Sequence, residues 1–268
     1  TLFNALTASI KAEAANYPFC TIEPNTGTVS VPDERLQQLA KLAGSAKILP
    51  AFIEFVDIAG LVKGASTGEG LGNKFLSHIR EVDAIIHVLR CFEDSDITHV
   101  HGKIDPIDDA EVIETELIIA DLESVEKRIT NLSKKAKSDK SLMQQVELLG
   151  ECQKVLEEGK PVRSMVTKEN AKEIAYLQLL TSKPILYVCN VLEHEAVDGN
   201  EHSKLVAEKA GKEGASSVVI SSKIESEISI LETKEEKQEF LESIGLEETG
   251  LSKIIKSAYT LLGLKSFF

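Results

Sequence analysis

Four short apolar runs interrupt the chain: residues 52–58 (Phe-Ile-Glu-Phe-Val-Asp-Ile), 83–90 (Asp-Ala-Ile-Ile-His-Val-Leu-Arg), 184–190 (Pro-Ile-Leu-Tyr-Val-Cys-Asn) and 217–221 (Ser-Val-Val-Ile-Ser). Each is too short for a helix and nearly continuous in apolar character, and helical stretches separate them. That pattern predicts an α/β fold, with a mostly parallel sheet flanked on both faces by helices. In such sheets ligands gather beyond the carboxyl ends of the strands, and a segment with candidate chemistry follows each run. At the start, Leu2, Phe3 and Leu6 have helical spacing.

Residues 108–159 follow a different period. Ile118, Leu122, Val125, Ile129, Leu132 and Ala136 repeat at alternating steps of four and three, the seam of a coiled coil. A polar break at Ser138-Asp139-Lys140-Ser141 precedes a second helical pattern through Leu142, Val146, Leu149 and Leu156. Two helices joined by a short polar turn predict an antiparallel hairpin. The third and fourth strand signals come after it, so the hairpin is an insertion. The expected organisation is one discontinuous domain, 1–106 with 178–268, interrupted by a helical insertion at 107–177.

Composition narrows the function. Of 268 residues, 43% are hydrophobic and 27% charged, enough for a core and against disorder as the main state. No apolar run approaches the ~18 residues of a membrane span. Thirty basic against 43 acidic residues give a net charge of −13, which excludes a general nucleic-acid coat. Any RNA contact must use a local basic patch. Cys20, Cys91, Cys152 and Cys189 are widely spaced and form no CxxC pair, so neither a zinc cluster nor a secreted disulfide framework is indicated. Reduced thiols and the lack of a signal-peptide pattern favour a cytoplasmic location, with neither membrane nor DNA as partner. Both ends read as cut: Thr1 opens inside a helical pattern, and Leu261, Leu262, Leu264, Phe267 and Phe268 make an apolar finish.

Asp57-Ile58-Ala59-Gly60 ends the first apolar run. An Asp at a strand end can hold Mg²⁺ through water, and a Gly three residues on lets its N–H approach a terminal phosphate. Gly64, Gly68, Gly70 and Gly72 then punctuate a polar segment of the kind that orders with a ligand; a flexible surface turn is the plainer reading. Asn190-Val191-Leu192-Glu193 ends the third run. The Asn suits a base edge and can tie neighbouring loops. Guanine offers N1–H and N2–H₂, which a short Asp accepts as a fork; Glu193 is one methylene longer, which weakens guanine selection. A loop-capping Asn with a solvated Glu is the competing account. Ser221-Ser222-Lys223 ends the fourth run and offers N–H groups and a hydroxyl to a base. Thr21, in the loop Asn16-Tyr17-Pro18-Phe19-Cys20-Thr21-Ile22-Glu23-Pro24-Asn25, suits Mg²⁺ ligation by its hydroxyl. These segments follow the order of a G-domain. The phosphate cradle GxxxxGK[ST] would sit just before Thr1, leaving the Thr1 N–H to face the α-phosphate.

Residues 16–25, 55–73 and 91–106 closely resemble the YchF/Obg-like ATPase family of translation-factor-class P-loop NTPases. The resemblance covers essentially the whole chain. It implies a P-loop NTPase G-domain with an inserted antiparallel coiled-coil hairpin, followed in the family by a small TGS domain that would begin at Phe268. It also implies Mg²⁺ at Thr21 and Asp57, phosphate contact at Gly60, and a base site at Asn190, Glu193 and Ser221; Thr1 joins the expected phosphate contacts, and Val191 and Ser222 the expected base site, by their places in these segments. ATP is then preferred, with GTP weaker. Phe92 either packs on the base or is a core aromatic.

Leu61 stands where many G proteins place a water-orienting Gln, and cannot hydrogen-bond. The resemblance makes His99 the candidate catalytic substitute, with His101 as competitor and a solvated loop histidine as the plain alternative. Arg128, Lys134, Lys135, Lys137 and Lys140 cluster around the hairpin tip. They read either as a solvated face or, as the family's ribosome association implies, as a contact to ribosomal RNA. The expected function is a slow, Mg²⁺-dependent ATPase switch that docks on ribosomes. A GTPase of the same fold, or a nucleotide-responsive binding module with incidental hydrolysis, are the alternatives.

Overall fold

A computed structural model describes residues 2–7, 25–58, 71–94, 104–136, 138–139 and 142–267, the side chains of 71–73 excepted. In chain order the elements are α1 (Leu2–Thr7), β1 (Asn25–Ser30), α2 (Glu34–Ala43), β2 (Phe52–Asp57), α3 (Leu71–Glu81), β3 (Ile85–Arg90), α4 (Pro106–Ala136), α5 (Met143–Glu157), α6 (Ala171–Leu177), β4 (Ile185–Asn190), α7 (Glu201–Lys212), β5 (Ser216–Ile220), α8 (Ser222–Ile230), α9 (Lys234–Ser243) and α10 (Gly250–Leu261). They fall into two compact units.

The first unit comprises the described residues within Thr1–Gly60, Ile86–Ile107 and Ile185–Phe268. β4 carries the apolar run Ile-Leu-Tyr-Val-Cys, all buried, as a strand covered on both faces must be. It pairs in parallel with β5, from Leu186↔Ser216 to Asn190↔Ile220, and the sheet order is β3-β4-β5. β1 and β2 form a separate antiparallel pair, from Asn25↔Asp57 to Ser30↔Phe52. β1 has no apolar run; it alternates half-buried and exposed residues through Asn-Thr-Gly-Thr-Val-Ser. Its Gly27 lets α1 come close, because a Cβ there would collide with the Thr7 side chain.

Phe3 from α1, Ile53 and Phe55 from β2, Leu186 and Val188 from β4, and Ile254 from α10 share one buried core. Burying each such side chain contributes about 1.5–3 kcal/mol. Behind β5, the carboxylate of Glu225, 1% exposed, accepts from the N–H groups of Gly250 (2.7 Å) and Leu251 (3.2 Å) at the start of α10. Gly250 permits that approach, since a Cβ would lie 2.5 Å from Ile220 Cγ2.

The second unit comprises the described residues within Leu61–Ile85 and Asp108–Pro184. Its spine is the α4–α5 hairpin. Ile118 and Val125 are buried, with Leu122, Ile129 and Leu132 partly so, against Leu149, Cys152 and Leu156 of α5, as the alternating spacing predicts. The turn closes through Ser138 and Asp139, whose N–H groups both donate to the Lys135 carbonyl at 3.0 Å. Asp121 of α4, 1% exposed, accepts from Leu180 N–H (2.9 Å), Thr181 N–H (2.8 Å) and the Thr181 hydroxyl (2.7 Å). It fixes the 3₁₀ turn Leu180–Ser182 that leads into β4. Lys183 then caps α3 by donating to the carbonyls of Arg80 and Val82. Among the described residues no helix is long and apolar enough to cross a membrane.

Candidate functional site

Three strand ends are tied together at Asn190. Its carbonyl accepts from Cys91 N–H at 2.9 Å, just past β3, and its side-chain Oδ1 accepts from Ser222 N–H at 2.8 Å, just past β5. Val191 is buried, and its N–H donates to the Ile220 carbonyl at 2.9 Å. The two segments read separately in the sequence, 190–193 and 221–223, therefore meet at the carboxyl ends of β4 and β5. The amide of Asn190 locks one to the other, and the Ser222 N–H is engaged by Asn190.

A second asparagine shapes the loop. Asn200, the N-cap of α7, accepts from Ser203 N–H (3.0 Å) and donates Nδ2 to Cys91 O (2.6 Å) and Glu195 Oε2 (2.9 Å). Glu195 also accepts from Leu192 N–H at 3.1 Å, so the segment from Asn190 to the 3₁₀ turn Glu193–Glu195 is braced at both ends. Sequence reasoning missed Asn200 and Glu195. Their signal was Gly199, in the left-handed region at φ 71°, directly before an Asn N-cap.

Glu193 points its carboxylate at Lys223 of α8, and the two form an ion pair. The hydrogen bond from the ammonium holds Glu193 below the usual carboxylate range. Ser221, 2% exposed, has a buried hydroxyl without a hydrogen-bond partner among the described residues. An orphaned buried hydroxyl costs about 1–3 kcal/mol, so native proteins keep few of them. Phe92 is half-buried, and the Arg90 guanidinium lies 4.9 Å from its ring centroid while Arg90 Nε donates to the Phe92 carbonyl at 3.1 Å.

Asp57 ends β2, half-buried, and burial pushes its carboxyl above the ordinary value. Among the described residues no cationic side chain pairs with it, and no three His, Cys, Asp or Glu side chains cluster as a metal site. Thr1, Thr21, Gly60, Leu61, His99, His101, Lys137 and Lys140 lie outside the described residues. Lys134 and Lys135 are exposed on the last turn of α4. Arg128 does not join them at the tip: its guanidinium donates to the Leu177 carbonyl, a contact inside the hairpin unit. Cys91, Cys152 and Cys189 are buried.

A family model described as 50S ribosome-binding GTPase matches residues 1–121. The solved structure of the Schizosaccharomyces pombe YchF GTPase matches with a TM-score of 0.79 at 36% identity, over 97% of this chain and 71% of that one. The fold is therefore a G-domain of the P-loop NTPase class carrying a helical hairpin. The ribosome-binding ATPase YchF of Bacillus subtilis (strain 168) is 57% identical over the whole chain and 74% of its own length. Those of Haemophilus influenzae and Escherichia coli O157:H7 are 52% and 49% identical with the same coverage. The chain belongs to the YchF family of ribosome-binding ATPases.

Proposed function

We propose that this protein is a Mg²⁺-dependent, slowly hydrolysing ATPase that docks on ribosomes in the cytoplasm. The observation that carries the reading is the convergence at the ends of β4 and β5. There Asn190, locked to Ser222, stands with Glu193 and the unpartnered Ser221 hydroxyl as a polar edge for a purine. In this reading residues 1–106 and 178–268 form the nucleotide domain and 107–177 the insertion. Asn190, Val191, Glu193, Ser221 and Ser222 hold the base, Phe92 packs near it, and Thr1 and Gly60 contact phosphates.

Asp57 suits a hard divalent cation: it is a half-buried carboxylate raised by desolvation, with no cationic side chain beside it among the described residues. Thr21 would complete the protein's contribution. When bound, Mg²⁺ neutralises charge on the transferring phosphoryl group. The chain's own part is to position nucleotide and water and to supply N–H donors. With Leu61 unable to orient water, His99 takes that task, and turnover is slow.

Titration calorimetry with ATP, GTP and Mg²⁺ tests the binding; no purine triphosphate uptake sinks the reading. The fission-yeast neighbour is named a GTPase, which keeps GTP as the second candidate, and the same titration decides between the two nucleotides. His99→Ala is expected to lower ATP turnover about 10²-fold or more with little change in ATP affinity. Wild-type turnover in that variant removes the role.

A further inference from the structure

We infer that Lys223 sets the purine preference of the base site by engaging the carboxylate of Glu193; this rests on the proposed base-binding role of that site. A carboxylate selects guanine by accepting N1–H and N2–H₂ together, and for that both oxygens must be free and the charge uncompensated. Glu193 meets neither condition. The Lys223 ammonium bonds Oε1 and neutralises the pair, and both residues flank the same Asn190–Ser222 lock. The longer reach of Glu therefore has a structural consequence beyond displacement: it brings the acid to a cation supplied by the first turn of α8. The carboxylate also accepts from its own main-chain N–H, so the capacity left suits a single further donor, which adenine's amine supplies and which leaves guanine's second donor unmet. Lys223 acts through Glu193 and is a positioning residue.

The pair is not a core anchor. Its side chains are 67% and 38% exposed, so it contributes little to fold stability and its influence is that of an exposed ion pair. That sets the size of the effect: about two- to fivefold in the ratio of GTP to ATP dissociation constants. It also makes the preference sensitive to salt, because exposed pairs are screened.

The test measures ATP and GTP affinities with Mg²⁺ on the complete protein, for wild type, Lys223→Met, Lys223→Arg, Glu193→Gln, Asn190→Ala and the double variant Lys223→Met with Glu193→Gln. Lys223→Met should lower the preference for ATP about two- to fivefold and abolish its salt dependence. Lys223→Arg should restore it, and Lys223→Met should add nothing once Glu193→Gln is present. An unchanged ratio in Lys223→Met overturns the assignment. Glu193→Gln and Asn190→Ala then tell which idea failed: if either shifts nucleotide affinity, the base site stands and only the lysine's role falls. If neither does, the base site falls as well.

Discussion

The inside of the hairpin unit and the strand tips of the first unit both use carboxylates and amides, and use them oppositely. In the hairpin unit, Asp121 is buried and accepts three hydrogen bonds from one turn. At the strand tips, Glu193 is more than a third exposed and held chiefly by one long-chained ammonium, and among the described residues Asp57 faces no cationic side chain and the Ser221 hydroxyl has no partner. Saturated polar groups are architectural, because every bond they make is to the chain itself. Under-satisfied groups at strand ends keep bonding capacity for something else, at a cost in stability.

The strongest way to break this contrast is Asp121→Ala. It strands two backbone N–H groups and a hydroxyl in the interior, and should cost about 3 kcal/mol. Urea unfolding followed by circular dichroism reads it directly. ATP affinity of the folded variant should be unchanged. A loss below about 1 kcal/mol would mean that the turn at 180–182 is held by packing alone.

Acid pH sharpens the contrast through opposite signs. Desolvation raises Asp121 above its ordinary 3.8, so its native state favours the protonated form. Its titration-linked stability is fully present below 3.8 and is lost as pH rises through the raised native value. Glu193 is lowered from 4.5 by the Lys223 hydrogen bond, so its contribution is present above 4.5 and is lost as pH falls through the lowered native value. On acidification from about pH 6 to about pH 3, wild type should therefore gain stability relative to Asp121→Asn and lose a smaller amount relative to Glu193→Gln, whose exposed pair is screened by solvent. Melting temperatures of the three proteins across that range check both directions; equal slopes would erase the distinction.

How far the sequence reveals these regions depends on what each uses to fold. The seam from Ile118 to Leu132 is local and periodic, so the hairpin was legible residue by residue, although Cys152, fully buried in α5, escaped because a cysteine gives little apolar signal. The runs that became β2, β3, β4 and β5 were legible within two residues at each end. β1 was not, since Asn-Thr-Gly-Thr-Val-Ser buries only one side of each alternate residue and pairs antiparallel where a mostly parallel sheet was expected. Beyond the strands, Asn190, Glu193 and Ser221 stood out as candidates from their places after apolar runs. The Lys223–Glu193 and Asn200–Cys91 contacts were not, because they exist only once β3, β4 and β5 lie side by side.

The smallest expected effect concerns the far end of the hairpin. Lys134 and Lys135 stay exposed on the last turn of α4, whereas Arg128 is turned to the Leu177 carbonyl. Reversing Arg128 would therefore disturb the hairpin itself and report nothing about docking. Lys134→Glu with Lys135→Glu leaves the seam intact, since Ile129 and Leu132 carry the packing there. If the tip meets ribosomal RNA, each lysine releases about one counterion on binding, so the double reversal should flatten the dependence of log K on log salt by roughly two. Co-sedimentation with ribosomes at several salt concentrations measures that slope. An unchanged slope with unchanged affinity assigns these lysines to solvent, and leaves the hairpin as a spacer whose contact lies elsewhere.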